Sequence, residues 1–262
     1  MRPPESARHY TLKGCPPLML TMFHTRNDFE AHSSVTAVLP IGAIEQHGSH
    51  LPVGTDTIIV GELAHRLAER LDAYLLPTLS ITASIEHRKS KGTVYLKADT
   101  LALVIRDIAD SLRVTGYRKL ILVNGHGGNW ILKPTIRQLN RDFEDAGHAM
   151  EVILITTGIV NKRTVGIVQH TEGDIHGGEK ETSLMLHFCE EHVKKPVQQP
   201  PTAVPQDFLD YFDAVDLTGD GYWGFPEAAS KEKGRLIADL FADCAVDYLD
   251  QIERVRKSLK TE

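Results

Sequence analysis

Apolar runs of strand length alternate with segments of helical periodicity along this chain as far as residue 156. The apolar runs span residues 35–42, 73–77, 119–124 and 150–156, and the helical segments span residues 57–71, 97–116 and 130–146. A helix after each strand returns the chain for a parallel neighbour, so this alternation favours an α/β fold with a mostly parallel, doubly wound sheet. No break in composition divides the chain, and we predict one domain over residues 1–262 with a peripheral N-terminal extension, residues 1–33.

The alternation of strands and helices ends at residue 156. Residues 157–178 form a long stretch rich in glycine and polar side chains, and loops of this length inside a compact domain are usually functional or mobile. A short helix is predicted over residues 182–192 and a long closing helix over residues 230–257.

Composition limits the kinds of partner this chain can have. A formal net charge of -6 lacks the basic excess that nucleic-acid binding needs. The sequence shows no signal-peptide pattern and no run of membrane-spanning length. Cys15, Cys189 and Cys244 are too scattered for a disulfide framework or a cysteine zinc site, which fits a reducing compartment. We therefore expect a cytoplasmic protein that acts on a small molecule and binds neither nucleic acid nor membrane.

Three side chains that can bind metal, Glu45, His47 and Asp56, follow the first predicted strand closely. Open α/β sheets bind ligands at the carboxyl ends of their strands, which is where this loop begins. Glu45 and His47 are two residues apart and point the same way in extended chain. Carboxylate and imidazole together suit Zn, Mn or Fe. The alternative is a polar loop in which Asp56 only caps the next helix.

A glycine-rich turn, residues 124–129, connects the clearest buried strand to a helix and carries His126. Gly125, Gly127 and Gly128 allow positive φ and a close approach of backbone to a ligand. We predict that Asn124, Gly127 and Gly128 contact substrate and that His126 joins the metal site. The spacing matches neither a P-loop nor a dinucleotide fingerprint. The alternative is a tight turn with an incidental histidine.

A third cluster places His176, Glu179 and Glu181 at the entry to a helix. Residues two apart on a helix face different sides, so only one of the two acids can face the metals. The apolar residues after Glu181 tie it to the interior, so we assign Glu181 to the site and Glu179 to its rim or to solvent. Acids favoured in a first helical turn are the alternative explanation. Elsewhere, His87 could line the pocket, although a surface histidine is the more common case.

These motifs together resemble the creatininase family of metal-dependent amidohydrolases. The similarity rests on residues 40–52 with Asp56, on residues 124–129, and on residues 176–178 with residues 181–183. The resemblance implies a three-layer α/β/α sandwich, a homohexamer, and two divalent metal ions (Zn, Mn or Fe(II)) in each subunit. It further implies that Asp56 bridges the ions, that Glu45 and His126 hold one, and that His47 helps to hold the other. His176 resembles the family's substrate-side histidine, and Glu181 resembles its characteristic acid.

Two departures bear on the substrate. Creatininase itself has Tyr-Glu after the motif histidine, and that glutamate binds the second metal, whereas Gly127 and Gly128 stand here. The tryptophan that packs on substrate just before the later histidine is also missing; Glu172 and Gly173 occupy that region. Creatinine is therefore not the expected substrate. The Gly-Gly form resembles the branch that contains the formamidopyrimidine-nucleotide deformylase and the mycofactocin-precursor peptidase.

We predict an amidohydrolase that cleaves a C–N amide bond of a cyclic amide, a formamide or a small peptide with metal-activated water. Glu181 is the predicted general base, and His176 is predicted to stabilise the oxyanion or to protonate the leaving nitrogen. Two alternatives stay open. One is a hydrolase or isomerase that acts on a cyclic sugar-like ketone at the same site, and the other is a non-catalytic metal-binding protein.

Overall fold

The structure is a computed structural model that describes residues 19–259. Its strands are β1 (Thr36–Ile41), β2 (Tyr74–Leu75), β3 (Lys119–Asn124) and β4 (Glu151–Thr156). They form one sheet in the order β2-β1-β3-β4, and every neighbouring pair is parallel. The helices are α1 (Arg26–Ala31), α2 (Thr55–Leu71), α3 (Ala98–Val114), α4 (Leu132–Asp145), α5 (Glu179–Phe188), α6 (Ala214–Leu217) and α7 (Lys231–Leu259).

The two faces of the sheet pack into two separate cores, because successive strand residues point to opposite sides. One face carries Val38 and Ile121 and packs against α2, α5 and α7. The other carries Leu39 and Leu122 and packs against α3 and α4. Helices therefore cover both faces, and the predicted three-layer α/β/α sandwich with a parallel sheet is confirmed.

The carboxyl ends of three strands lie at one edge of the sheet. In the register, Ile41 of β1 pairs with Asn124 of β3, and Asn124 pairs with Thr156 of β4. The loops that leave these strands consequently start side by side. This alignment brings the motif after β1 next to the motif after β3.

Three predicted segments differ from the structure. The second strand is only Tyr74–Leu75, because Pro77 has no N–H to donate to a sheet. Helix α5 begins at Glu179 rather than at residue 182, and residues 189–192 leave the helix and form a separate 3₁₀ turn. The extension over residues 1–33 is not wholly peripheral: Leu20 is buried and its carbonyl accepts a hydrogen bond from the Leu75 N–H at the sheet edge. Residues 1–18 of that extension lie outside the described residues.

A search of the described residues finds no helix with the length and apolar character needed to span a bilayer.

Candidate metal centre

The loop after β1 and the loop after β3 bring four buried side chains together. Glu45 and His47 follow β1, Asp56 lies in the first turn of α2, and His126 follows β3. All four are at least nine-tenths buried. Helix α2 has Gly54 at its N-cap with no side-chain capping bond, so the alternative of Asp56 as a simple helix cap is wrong.

Asp56 lies between the two histidines and presents one oxygen to each. Its Oδ1 is 3.3 Å from His47 Nε2, and its Oδ2 is 3.2 Å from His126 Nδ1. Glu45 Oε1 lies 3.1 Å from the same nitrogen of His126. The predicted ligands Glu45, His47, Asp56 and His126 are therefore brought together by the structure.

The outer nitrogen of each histidine is held by backbone. His47 Nδ1 donates to the carbonyl of Glu45 at 3.1 Å, and His126 Nε2 donates to the carbonyl of Ala83 at 2.8 Å. These bonds place the proton of each neutral ring away from the cluster. In the neutral form of each ring, the nitrogen without a proton, His47 Nε2 or His126 Nδ1, therefore faces the carboxylates, as a metal-binding histidine requires.

Buried carboxylate oxygens in this cluster have no hydrogen-bond donor among residues 19–259. The three atoms are Oε1 and Oε2 of Glu45 and Oδ2 of Asp56. Burying a carboxylate without compensation costs several kcal/mol or more, so such oxygens normally bind a cation. Carboxylate and imidazole together suit Zn, Mn or Fe(II). The residues present therefore fit divalent metal ions.

The charges in the cluster favour positive charge at its centre. Burial alone would lower the pKa of His47, but the surrounding carboxylates, above all that of Asp56, raise it to about 9. Burial likewise opposes charge on Asp56 and His126. Nevertheless, His47 holds the pKa of Asp56 below its usual range, and Glu45 holds the pKa of His126 well above its usual range. The same field attracts a divalent cation.

Two glycines of the turn after β3, Gly125 and Gly128, are needed for space rather than for conformation. None of Gly125, Gly127 and Gly128 adopts a positive φ, so that prediction is wrong. A Cβ at Gly125 would lie 2.9 Å from Cβ of Val60 on α2. A Cβ at Gly127 would meet nothing within 4 Å, whereas one at Gly128 would collide with its neighbours. Gly127 and Gly128 both line the cavity above the cluster.

Asn124 holds this turn together rather than facing the cavity. Its side chain donates to the carbonyl of His126 at 2.7 Å and accepts from Asn129 at 2.9 Å. Its predicted substrate contact is thus not supported, since both ends of the amide are used inside the loop. These bonds instead hold in place the loop that carries His126.

Glu181 reaches the cluster from α5. Its Oε2 lies 3.8 Å from His47 Nε2 and accepts a hydrogen bond from the Gly177 N–H at 2.6 Å. Glu179 points elsewhere but is fully buried, so its predicted place at the rim or in solvent is wrong. Its carboxylate pairs with Lys233 of α7 at 2.5 Å and accepts from the Gln169 N–H at 2.9 Å. Glu179 therefore connects the loop of residues 157–178 to α7.

We expect Glu179→Gln to lower the free energy of unfolding by about 3 kcal/mol, because it leaves the ammonium of Lys233 without its buried counter-charge. Turnover per folded molecule should be unchanged. Urea unfolding measures the loss, and Glu190→Gln is the matched control because its pair with Lys231 is 60% exposed on both sides. Equal effects of the two variants would contradict the structural role of Glu179.

Two histidines outside the predicted ligand set also face Glu45. His87 Nε2 and His176 Nδ1 each lie 3.6 Å from Glu45 Oε1. Their rings stack with centroids 4.4 Å apart. His87 is buried and lines the cavity, so the surface-histidine alternative is wrong for it.

A cavity of about 800 Å³ opens above the cluster and holds residues that the sequence analysis missed. Glu86, Trp130, Leu209, Asp210 and Trp223 line it. The sequence offered a signal for two of them: Glu86 adjoins His87, and Trp130 directly follows the glycine-rich turn. In the structure Trp130 is 61% exposed. A smaller cavity of about 180 Å³ adjoins the same cluster.

This chain is similar to known proteins over most of their length and its own. The family model described as Creatininase, creatinine amidohydrolase, matches residues 23–249. A mycofactocin precursor peptide peptidase of Mycobacterium ulcerans is 30% identical over 231 residues, which cover 83% of this chain and 84% of that protein. A creatinine amidohydrolase of Pseudomonas putida is 31% identical over 227 residues, which cover 81% of this chain and 87% of that protein. The solved structure described as "Creatininase Mn" has a TM-score of 0.78 at 27% identity and covers 89% of this chain and 98% of its own.

Proposed function

This chain belongs to the creatininase family, and on that premise we propose that it is a metal-dependent hydrolase of an amide C–N bond in a small molecule or small peptide. The observation that carries the proposal is the group of buried oxygens on Glu45 and Asp56 that accept no hydrogen bond from any residue the structure describes. The relatives named as a creatinine amidohydrolase and a peptide peptidase support amide chemistry. The solved structure described as "Creatininase Mn" supports a metal-dependent site and manganese as one of the metals to test.

Two sets of side chains would hold two divalent ions. Glu45, His126 and one oxygen of Asp56 would hold the first, and His47 with the other oxygen of Asp56 would hold the second. Bound there, such ions lower the pKa of water and polarise an amide carbonyl.

Glu181 is the group that we propose takes a proton from the attacking water. Burial raises the pKa of its carboxyl to about 7, against the opposing effect of His47. A base whose pKa lies near the working pH transfers protons most effectively. The hydrogen bond from Gly177 fixes its position. Ligand atoms of Glu181, His47 and His176 lie within 4.8 Å of one another and could hold an ion together, so the test of Glu181 must report metal content as well as rate.

Gln46 sets opposite tautomers on the two stacked histidines. Its side-chain N–H donates to His87 Nδ1 at 2.9 Å, which leaves the proton of His87 on Nε2, facing the site. The backbone carbonyl of Gln46 accepts a hydrogen bond from His176 Nε2 at 2.6 Å, which leaves the lone pair of His176 on Nδ1. His87 therefore presents a donor to the site, and His176 presents an acceptor.

These tautomers change the role that the sequence predicted for His176 and give the oxyanion role to His87. Burial, helped by the nearby His47, holds the pKa of His176 well below its usual range, so His176 stays neutral and carries no proton on Nδ1. Its predicted role in stabilising the oxyanion or protonating the leaving nitrogen is not supported by this geometry. We propose that His87 Nε2–H stabilises the developing oxyanion and that His176 accepts a hydrogen bond from the amide N–H of the substrate.

We expect Gln46→Glu to lower kcat by about 10²–10³, the usual effect of losing one oxyanion donor. A carboxylate cannot donate to His87 Nδ1, so His87 must move its proton there and turn a lone pair toward the site. The ¹⁵N chemical shifts of the imidazole nitrogens report that change directly, beside kcat and KM. Gln138→Glu, which adds the same charge on the exposed face of α4, is the control. A wild-type kcat in Gln46→Glu would contradict the assignment.

The function itself is tested with the purified chain loaded separately with Zn²⁺, Mn²⁺ and Fe²⁺. Each form is incubated with panels of cyclic amides, formamides and small peptides, and products are identified by mass spectrometry. Metal-dependent release of an amine and a carboxylic acid is the expected result. Turnover only of cyclic sugar-like ketones, or no turnover with any metal while two ions are bound, would overturn the proposal.

A further inference from the structure

Glu86 lies directly behind His126, on the side of the ring that faces away from Asp56. Its Oε1 is 3.3 Å from His126 Nε2, while Nδ1 of the same ring faces Glu45 and Asp56. Its side chain is only 13% exposed and borders the large cavity. A carboxylate in this position shares the Nε2 proton with the carbonyl of Ala83.

Gly128 leaves the space that Glu86 fills. A Cβ at residue 128 would lie 1.9 Å from Glu86 Oε1 and 2.3 Å from His126 Nε2, far inside contact distance. Gly128 has no positive φ, so its backbone could accept alanine. Only the neighbours forbid a side chain there. Residue 127 differs, because a Cβ on it would meet nothing within 4 Å.

The loop that carries Glu86 is fastened to the turn that carries His126 and Gly128. Asn129 Oδ1 accepts from the Ala83 N–H at 3.1 Å, and the Ala83 carbonyl accepts from His126. Glu86 itself lies in the 3₁₀ turn Ile85–His87. Because these bonds join the two loops at Ala83, three residues before Glu86, they hold the segment that carries Glu86 against the turn that carries His126.

We propose that Glu86 is a positioning residue of the metal centre, which acts through His126, and that residue 128 is glycine because this carboxylate needs its space. The inference rests on the proposed function, since it concerns the ion that Glu45, Asp56 and His126 would hold. A carboxylate on the outer nitrogen fixes the orientation of a metal-binding histidine and strengthens its lone pair. Removing such a partner typically weakens metal affinity by about 10–100-fold.

The test measures Zn²⁺ affinity of metal-stripped protein by competition with a chromophoric chelator. Glu86→Ala and Gly128→Ala should each weaken one of the two Zn²⁺ affinities by about 10–100-fold and leave the other unchanged. Glu86→Gln keeps an oxygen acceptor without the charge and should fall between Glu86→Ala and wild type. Gly127→Ala, the matched glycine with open space, should bind both ions as wild type does.

An unfolding curve of each metal-stripped variant shows whether that variant is folded. If Gly128→Ala fails to fold, the two Glu86 variants still test whether Glu86 acts through His126. Wild-type Zn²⁺ affinities in Glu86→Ala and Glu86→Gln would overturn this inference and leave the proposed function standing. Equal weakening of both ions would also overturn it, because the effect would then not pass through His126. A wild-type chain that binds none of Zn²⁺, Mn²⁺ and Fe²⁺ would instead overturn the proposed function.

Discussion

Asp56→Asn is expected to leave the chain folded, free of both metal ions and without measurable turnover. The two oxygens of Asp56 face two different histidines, 3.3 Å from His47 Nε2 and 3.2 Å from His126 Nδ1. Asparagine keeps the shape of the side chain but removes its negative charge, and its amide nitrogen is a poor ligand. Each proposed ion therefore loses one anionic ligand at once. The measurement is metal content per chain by mass spectrometry after gel filtration, together with kcat/KM.

Asp107→Asn is the control for this variant, because it removes the same charge from an exposed position on α3. It should keep wild-type metal content and activity. If Asp56→Asn retained two full equivalents of metal, Asp56 would not be shared between the ions. Loss of one equivalent only would assign Asp56 to a single ion.

Glu181→Gln is expected to reduce kcat by about 10²–10⁴, the usual range for a lost general base, with both metal ions retained. Glutamine can still accept the hydrogen bond from the Gly177 N–H, so the segment that carries it should keep its place. What it cannot do is take a proton. The measurement is kcat with saturating substrate, made beside the metal content of the same sample.

Glu179→Gln provides the comparison, since it changes a neighbouring buried acid that pairs with Lys233. We expect Glu179→Gln to lose stability and keep turnover, and Glu181→Gln to keep stability and lose turnover. This result would assign a structural role to Glu179 and a catalytic role to Glu181. If Glu181→Gln lost one metal equivalent, Glu181 would be a ligand of the ion beside His47, and the base would have to be sought elsewhere. If only Glu179→Gln lost turnover, the assignment of the two acids would be wrong.

The sheet and most of the candidate metal centre could be predicted from the sequence because they depend on local pattern. Buried parallel strands read as apolar runs, and residues just after them must gather at one edge of the sheet. Glu45, His47 and His126 follow such runs directly, so their meeting needed no knowledge of side-chain geometry. Glu181 was found because the apolar residues after it had to face the core.

What could not be predicted depends on contacts between distant segments. Glu86 borders His126 only because the loop before α3 is bonded to the turn after β3. Glu179 is buried by an ion pair with Lys233, 54 residues later in the sequence. The glycines of the turn were interpreted as conformational, but Gly128 is required by the carboxylate beside it, which no local pattern reveals.

The oxygens of Glu45 and Asp56 that have no hydrogen-bond partner among residues 19–259 have a consequence for how long this protein survives in a cell. An ion held between them binds the folded chain and not the unfolded one. Folding stability then rises with free metal, by about 1.4 kcal/mol per site for each tenfold increase above the dissociation constant. Proteases act on the small unfolded fraction, which shrinks by the same factor of about ten. Metal supply would thus set the abundance of this protein as well as its activity.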